Sequence, residues 1–181
     1  MESVDIKDIS GTLLLSTSIK EGGKRKFTLM KEDYVTLKFS LDTPIHFKLG
    51  DGIDNETGMF ELCDLCQPTY NTATAGYDYE LRLDAYYRKW KNKIFKYTPE
   101  TGGREASWNL TAPLDVQMGV FLRNLKALGY AYRGKDFEFS IDSSVGNKSM
   151  PMSYDNMNMI DALSQMAETW ECEWWVTDRL R

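Results

Sequence analysis

The residues with the spacing of a chemical site are two cysteines, Cys63 and Cys66, separated by two residues. A structural zinc ion would need two further ligands, and the remaining sulfur and imidazole groups of the chain are Cys172 and His46. Residues 59–66 have the alternating pattern of a strand, which places side chains three positions apart on opposite faces. The pattern therefore favours ordinary sheet cysteines, with a zinc enzyme using Cys63, Cys66 and Cys172 as the alternative.

A redox pair is the other chemistry that this motif could perform. The reactive cysteine of a redox motif usually lies at a helix N-terminus, whereas Cys66 follows a strand pattern and precedes Gln67 and Pro68. We therefore predict that the protein uses no metal and no other cofactor.

Catalysis by an activated nucleophile has no support in the sequence. His46 is the single histidine, and it lies on the polar face of the alternating segment 45–49. A serine or cysteine nucleophile needs a base within hydrogen-bond reach, and no short nucleophile signature surrounds any serine or cysteine. The acidic loop 51–58 lacks the alternating acids of a calcium-binding loop. The sequence predicts a protein that is not an enzyme.

The charge distribution excludes some partner classes. The 181 residues carry a net charge of −5, and the densest basic cluster is Lys24, Arg25 and Lys26. Nucleic-acid binding needs a concentrated basic face, so we expect no nucleic-acid partner. No apolar run approaches the length of a membrane span. The polar, acidic N-terminus is unlike a signal peptide, which with three cysteines indicates synthesis in a reducing cytoplasm.

Residues 76–97 contain the clearest structural signal in the chain. From Tyr77, apolar and aromatic side chains alternate with charged ones as far as Arg88. A period of two sustained over about a dozen residues indicates a long strand. A strand of this length is more typical of a scaffold than of an active site.

The other segments divide the chain into two parts with different periods. The pattern predicts strands at residues 11–19, 25–30, 35–41, 45–49, 59–66 and 106–110, with polar loops at 50–58 and 71–76. Apolar residues then recur at helical spacing over 114–128, with Thr111 or Pro113 at the start and Gly129 at the end. A hairpin over 130–141, a loop over 143–156, a helix from Asn156 or Asn158 and a strand over 171–177 complete the prediction.

These patterns predict an α+β fold with two domains. Residues 1–106 are expected to form a strongly bent antiparallel sheet or a partly open β-barrel. Residues 107–181 are expected to form a smaller α+β domain of helix, hairpin, helix and strand, which we expect to be truncated at its C-terminus.

Aromatic residues are abundant, at 13% of the chain. Because aromatics are enriched at protein interfaces, we considered those expected at the surface as a contact or sugar-stacking surface. The candidate interaction surface consists of Tyr86, Trp90, Trp174 and Trp175.

The order of several short segments resembles that of phage and prophage tail proteins of the baseplate-hub type. The segments are residues 32–40 (EDYVTLKFS), 44–51 (PIHFKLGD), 68–70 (PTY), 76–81 (GYDYEL), the helical residues Asp161, Ala162, Leu163 and Ala167, and 173–176 (EWWV). The resemblance extends over nearly the whole chain through short patterns. It contains no catalytic motif that could be transferred to this sequence.

The resemblance implies a non-enzymatic structural role. Hub proteins carry β-barrel domains beside small α+β domains and associate as rings, commonly trimers, that contact other tail proteins. This implies synthesis in the bacterial cytoplasm and incorporation into the tail of the virion. The alternative from the residues themselves is a carbohydrate-binding or cell-surface-binding module that uses the exposed aromatics.

Overall fold

The computed structural model describes residues 3–20, 22–56, 58–97, 103–132 and 134–177. The chain forms two compact units, Met1–Arg88 and Lys89–Arg181. The boundary predicted between residues 106 and 107 lies inside the second unit. Since compactness alone does not define an independently folding domain, the two-domain division remains a prediction.

The fold is α+β, as the sequence predicts, with a bent antiparallel sheet that forms a partly open barrel. The strands of this sheet are β1 (Ser3–Lys7), β2 (Leu13–Ser18), β3 (Lys24–Thr28), β4 (Glu32–Leu41), β5 (Gly52–Asn55), β6 (Gly58–Leu62), β7 (Thr69–Asn71) and β8 (Gly76–Ala85). Their order is β2-β1-β5-β6-β8-β4-β3, and β7 also pairs with β8. The sheet therefore has β2 at one end and β3 at the other.

The two ten-residue strands, β4 and β8, form the centre of the sheet. They pair in an unbroken antiparallel register from Tyr34 opposite Asp84 to Leu41 opposite Tyr77. Inward-facing side chains of β8 are buried, as the alternation predicts; they are Tyr79, Leu81, Leu83 and Ala85. The core of the first unit is therefore the concave face of these strands.

The segment 45–49 was predicted to be a strand, and this prediction was wrong. Phe47 is buried against the rings of Phe39 and Tyr79, at 6.1 and 5.6 Å between centroids. The hydroxyl of Tyr79 accepts from the backbone N–H of Ile45 at 2.7 Å and donates to its carbonyl at 2.9 Å. The hydroxyl of Tyr79 thus makes the backbone hydrogen bonds that a neighbouring strand would make. The alternating pattern of residues 45–49 arises from one buried side chain, Phe47.

Three short strands were missed by the sequence prediction. β1 lies before the predicted segment 11–19, β5 lies in the predicted loop 50–58, and β7 lies between the predicted strand 59–66 and the predicted loop 71–76, which it overlaps at Asn71. β5 forms a hairpin with β6, and Gly52 at its start pairs with both Lys7 and Glu61. A Cβ atom at Gly52 would lie 2.0 Å from the carbonyl oxygen of Phe60. The close approach of β6 therefore requires glycine at this position.

The long strand β8 ends earlier than its alternating pattern. After Ala85 the chain turns into a 3₁₀ helix, Tyr86–Asn92. A 3₁₀ helix has three residues per turn, so the side chains that follow Ala85 no longer alternate between two faces. The predicted strand is confirmed over Gly76–Ala85 only.

The second unit contains two helices and a two-stranded sheet. Helix α1 is Leu114–Ala127 and helix α2 is Met159–Thr169, close to the predicted positions. Strands β9 (Ser107–Ala112) and β10 (Met150–Asp155) pair antiparallel, and β10 lies in a segment predicted as a loop. Its core is aromatic: Phe95, Trp108, Phe121 and Tyr154 are buried together.

The helix ends follow their sequence signals in part. The side chain of Asn158 accepts from the N–H of Asp161 and caps α2. Helix α1 ends at Ala127, and Gly129 follows its C-cap with a positive φ of 71° that allows Tyr130 to donate to Leu125, as the glycine stop predicts. At the start of α1, Pro113 is the N-cap without a side-chain cap, because Thr111 belongs to β9.

Two predicted strand regions of the second unit are not strands in the structure. The predicted hairpin over 130–141 is reduced to a single bridge between Tyr132 and Lys135, and residue 133 lies outside the described residues. The described residues of the last segment, 172–177, form no strand. Their burial alternates nonetheless, since Cys172, Trp174 and Val176 are more buried than the residues between them. No described helix has the length and apolar character needed to cross a membrane.

Candidate interaction surface

Of the four aromatic residues predicted to form an interaction surface, one is exposed. Trp175 exposes 62% of its surface, whereas Tyr86, Trp90 and Trp174 expose 9%, 2% and 8%. The expectation that the latter three are exposed was wrong, and they are not accessible for sugar stacking. An interaction role for Trp175 remains a prediction.

The burial of Trp90 follows from the 3₁₀ helix. Its ring meets the edges of Phe121 and Phe137, at 5.7 and 5.0 Å between centroids. Trp174 lies against α2, and its indole N–H donates to the hydroxyl of Ser164 at 3.3 Å. Both tryptophans are therefore part of the packing of the second unit.

The cysteines are free thiols in packing positions. The thiol of Cys66 donates to the carbonyl oxygen of Glu80 at 3.4 Å, and that of Cys63 donates to the carbonyl of Glu61 at 3.7 Å. Burial raises the pKa of Cys66 and of Cys172, which disfavours the reactive thiolate. Within the described ranges, no three of the histidine, cysteine and acidic side chains are grouped to hold a metal ion. His46 is exposed.

The outer face of β3, β4 and β8 carries rows of charged side chains that pair across strands. Lys26 and Glu32 form an ion pair at 2.5 Å, Lys38 and Glu80 one at 3.1 Å. The guanidinium of Arg82 lies 3.9 Å from the ring centre of Tyr34. Lys38 and Glu80 lie directly opposite each other in the register, whereas Lys26 reaches Glu32 diagonally, and both pairs offset a positive charge with a negative one.

A network of hydrogen bonds to the carboxylate of Asp78 lies at one end of this outer face. The carboxylate accepts from Ser40, from the amide of Asn71 at 2.8 Å, and from the ammonium of Lys20 at 3.3 Å. These hydrogen bonds, with Ser40 the strongest contributor, lower the pKa of Asp78 to about 2. The network joins the loop after β2 to β4, β7 and β8.

On the inner face, Asp33 forms an ion pair with Arg25 of the edge strand β3. Two oxygens of Asp33, which is 4% exposed, accept from the guanidinium at 2.9 Å each. The guanidinium also lies 5.1 Å from the ring centre of Phe60. Burial, and secondarily the charge of Asp33, raises the pKa of Tyr87 to about 12. The cation thus holds β3 on the end of the sheet.

The two ends of the sheet differ in chemistry. β2 has the sequence LLLSTS and β3 has the sequence KRKFT, and no residue of either strand is buried. Leu13 of β2 and Phe27 of β3 expose 54% and 52% of their surface. These two strands lie at the two ends of the sheet and carry exposed apolar side chains, and we name them the β2 edge and the β3 edge.

The predicted strand 11–19 contains β2, and the strand that the sequence prediction missed at this end of the sheet is β1. A signal for it was present in the alternation of Val4, Asp5, Ile6 and Lys7 followed by a turn with Gly11. In the structure, a side-chain oxygen of Asp8 accepts from the backbone N–H groups of Ser10 and Thr12 and closes this turn. Ile9 at the tip is 86% exposed.

A depression with a volume of about 210 Å³ lies beside α1 in the second unit. It is lined by Leu122, Arg123, Leu125, Lys126, Tyr130, Asp136 and Phe137. Ligand pockets usually enclose about 300–1,000 Å³, and an ion pair of Lys126 with Asp136 lies at this surface. Its size and openness do not make it a substrate site.

Comparison with known proteins gives one informative match. No protein-family model matches the chain, and no curated protein matches it. Among solved structures, the chain is similar to the crystal structure of prophage tail protein gp18 from Listeria monocytogenes EGD-e, with a TM-score of 0.54 and 10% sequence identity. The match covers 92% of this chain and 45% of the Listeria protein. The chain therefore spans less than half the length of that protein and shares its fold.

Proposed function

We propose that this chain is a structural, non-enzymatic component of a phage or prophage tail, of the baseplate-hub type. The observation that carries the proposal is the fold shared with a prophage tail protein over 92% of the chain. A structural component of a particle works by binding neighbouring subunits, so its function depends on the surfaces that its fold exposes. Synthesis in the bacterial cytoplasm and incorporation into the virion tail follow from this role.

The chemistry of the described residues is consistent with a particle component. Cys66 and Cys172 are partly buried thiols whose pKa is raised by burial, and Lys26 and Lys38 on the outer face form ion pairs with Glu32 and Glu80. The polar groups thus stabilise the fold. In this role the chain works by self-association into a closed ring, with a trimer as the expected size, and by contact with other tail proteins.

The experiment that tests self-association is the solution mass of the purified chain, measured by light scattering over a concentration series. A discrete oligomer of one size is the expected result, because a rotational assembly that closes has a defined number of subunits. A monomer at every concentration would contradict self-association.

A cell-surface-binding module is the second candidate, and one observation favours it. Trp175 is 62% exposed, and exposed indole rings stack on apolar faces of sugars. Glycan-array binding that is lost in Trp175→Ala and retained in Trp90→Phe would support this function. Absence of binding to any glycan by the unchanged protein would exclude it for the glycans on the array.

A further inference from the structure

We propose that the β2 edge of one copy pairs with the β3 edge of the next copy and forms a continuous sheet between subunits. The inference rests on the self-association proposed above and names the surfaces that would carry it. It starts from the backbone, since an edge strand presents unpaired N–H and C=O groups to one side. Among the described strands, β2 pairs with β1 alone and β3 pairs with β4 alone.

The two edges differ in how strongly their side chains oppose pairing with a strand of another chain. Natural sheets protect their edges with charged side chains, especially lysine, or with proline. The β3 edge carries Lys24, Arg25 and Lys26 in succession, whereas the six residues of the β2 edge include no charge and no proline. The β2 edge has three leucines and no charged residue or proline, which indicates that another strand covers it in the assembled state.

Charge complementarity identifies the strand that covers the β2 edge. Pairing of two β3 edges would bring the exposed Lys24 side chains of two copies to the same joint, and like charges placed opposite each other are destabilising. On the outer face, Lys24 pairs with Thr36 and is exposed. At the other end of the sheet, Ser16 of β2 also lies on the outer face and is opposite Asp5 of β1. Asp5 is exposed, so its carboxylate lies one strand in from the β2 edge. The cation of β3 and the carboxylate of β1 would then lie on the same face of the joined sheet.

The exposed apolar side chains favour the same arrangement. Leu13 and Leu14 on the β2 edge expose 54% and 37%, and Phe27 on the β3 edge exposes 52%. A contact between β2 and β3 covers all three of them, whereas a symmetric contact between two β2 edges leaves Phe27 in water. Burial of this apolar surface adds to the backbone hydrogen bonds of the new ladder.

The contact has a consequence for symmetry. A surface that binds a different surface on the next copy makes a head-to-tail interface, which gives a ring when the rotation closes. A symmetric β2 contact would instead stop at a dimer.

A charge exchange between the two edges tests the inference. Ser16→Lys places a cation on the β2 edge opposite the basic β3 edge, so we expect the association constant from light scattering to fall by at least about tenfold. Lys24→Glu added to Ser16→Lys replaces the repulsion with an attraction, and we expect the double variant to recover most of the lost association. Ser153→Lys, on an exposed position of β10, is the matched control and leaves association unchanged.

Hydrogen exchange of the unaltered protein gives an independent readout. The amides of residues 13–18 and 24–28 should exchange more slowly in the oligomer than in the diluted monomer. Oligomers of the same size in wild type and Ser16→Lys, without protection of these amides, would overturn the edge contact while self-association stands. A symmetric dimer that resists further growth would also overturn it. A wild type that stays monomeric would overturn both proposals.

Discussion

The side-chain amide of Asn124 makes two hydrogen bonds with the backbone of Lys96, accepting from its N–H at 3.0 Å and donating to its carbonyl at 2.7 Å. Asn124 lies on the buried face of α1 and is 4% exposed. The side chain of Asn124 thus makes the two backbone hydrogen bonds that a neighbouring strand would make with Lys96, which follows the 3₁₀ helix. It therefore connects α1 to the chain that enters the second unit.

We expect Asn124→Ala to destabilise the second unit by about 2–3 kcal/mol. The change leaves the N–H and C=O of Lys96 without these partners, and each unsatisfied buried group costs about 1–3 kcal/mol. Urea unfolding measures the effect. Asn109→Ala, on an exposed position of β9, is the control and should change the free energy of unfolding by no more than about 0.5 kcal/mol. Equal effects of the two variants would contradict the role of Asn124.

Two glycine-to-alanine changes should have opposite signs. At Gly52 the added methyl group meets the carbonyl of Phe60 at 2.0 Å, so Gly52→Ala should lower stability by about 2–3 kcal/mol through overpacking. At Gly119 in α1 the nearest atom is the flexible end of Arg123 at 3.7 Å. Gly119→Ala should raise stability by up to about 1 kcal/mol, since alanine favours helix. Thermal unfolding of both variants measures the difference.

A glycine at the end of α2 should stabilise the protein. Glu171 has a positive φ of 53°, and Cys172 donates to Ala167 across this turn. Glutamate is strained in this conformation and adds a negative charge at the negative end of the helix dipole. We expect Glu171→Gly to raise the free energy of unfolding by about 1 kcal/mol.

The matched control for this change is Glu173→Gly, two residues further along. Its backbone is not among those with positive φ, so glycine there relieves no strain and increases the freedom of the unfolded chain. Stabilisation by Glu173→Gly equal to that by Glu171→Gly would disprove the explanation from the helix end.

Acid should weaken the network around Asp78. The pKa of Asp78 is lowered to about 2 in the folded protein by hydrogen bonds from Ser40, Asn71 and Lys20, against about 3.9 in an unfolded chain. A group whose pKa is lowered on folding stabilises the folded state above the unfolded value, and the contribution is lost as the pH falls through about 4 towards 2.

The pH dependence is measured from urea midpoints at pH 5, 3 and 2. The stability advantage of wild type over Asp78→Asn should shrink over this interval, and Asn71→Ala should show an intermediate dependence because it removes one donor. Parallel pH profiles for wild type and Asp78→Asn would rule out the assigned contribution of Asp78.

The central strands could be predicted because their side chains alternate between water and core. β8 and α1 each have one buried face, and that face is visible as a period in the sequence. The same logic gave a wrong strand at residues 45–49, because Phe47 is buried by edge-on contacts with Phe39 and Tyr79 and the backbone of Ile45 is hydrogen-bonded to Tyr79. A contact between residues distant in the chain leaves no periodic signal.

The surface residues were harder to predict than the fold. Trp90 was expected at the surface, but it lies in the 3₁₀ helix and is buried against Phe121 and Phe137. The edges of the sheet depend on strand order, which is set by pairings such as β1 with β5 between distant residues. Burial could therefore be predicted within an element, whereas the positions of β2 and β3 at the ends of the sheet could not.

The solution mass of the chain tests the central claim, that it is a self-associating structural component of a phage tail, most directly. Light scattering from low to high protein concentration should give a rise to one discrete mass that then stays constant, as expected for a closed ring. A mass that remains that of one chain over the whole range would contradict the claim.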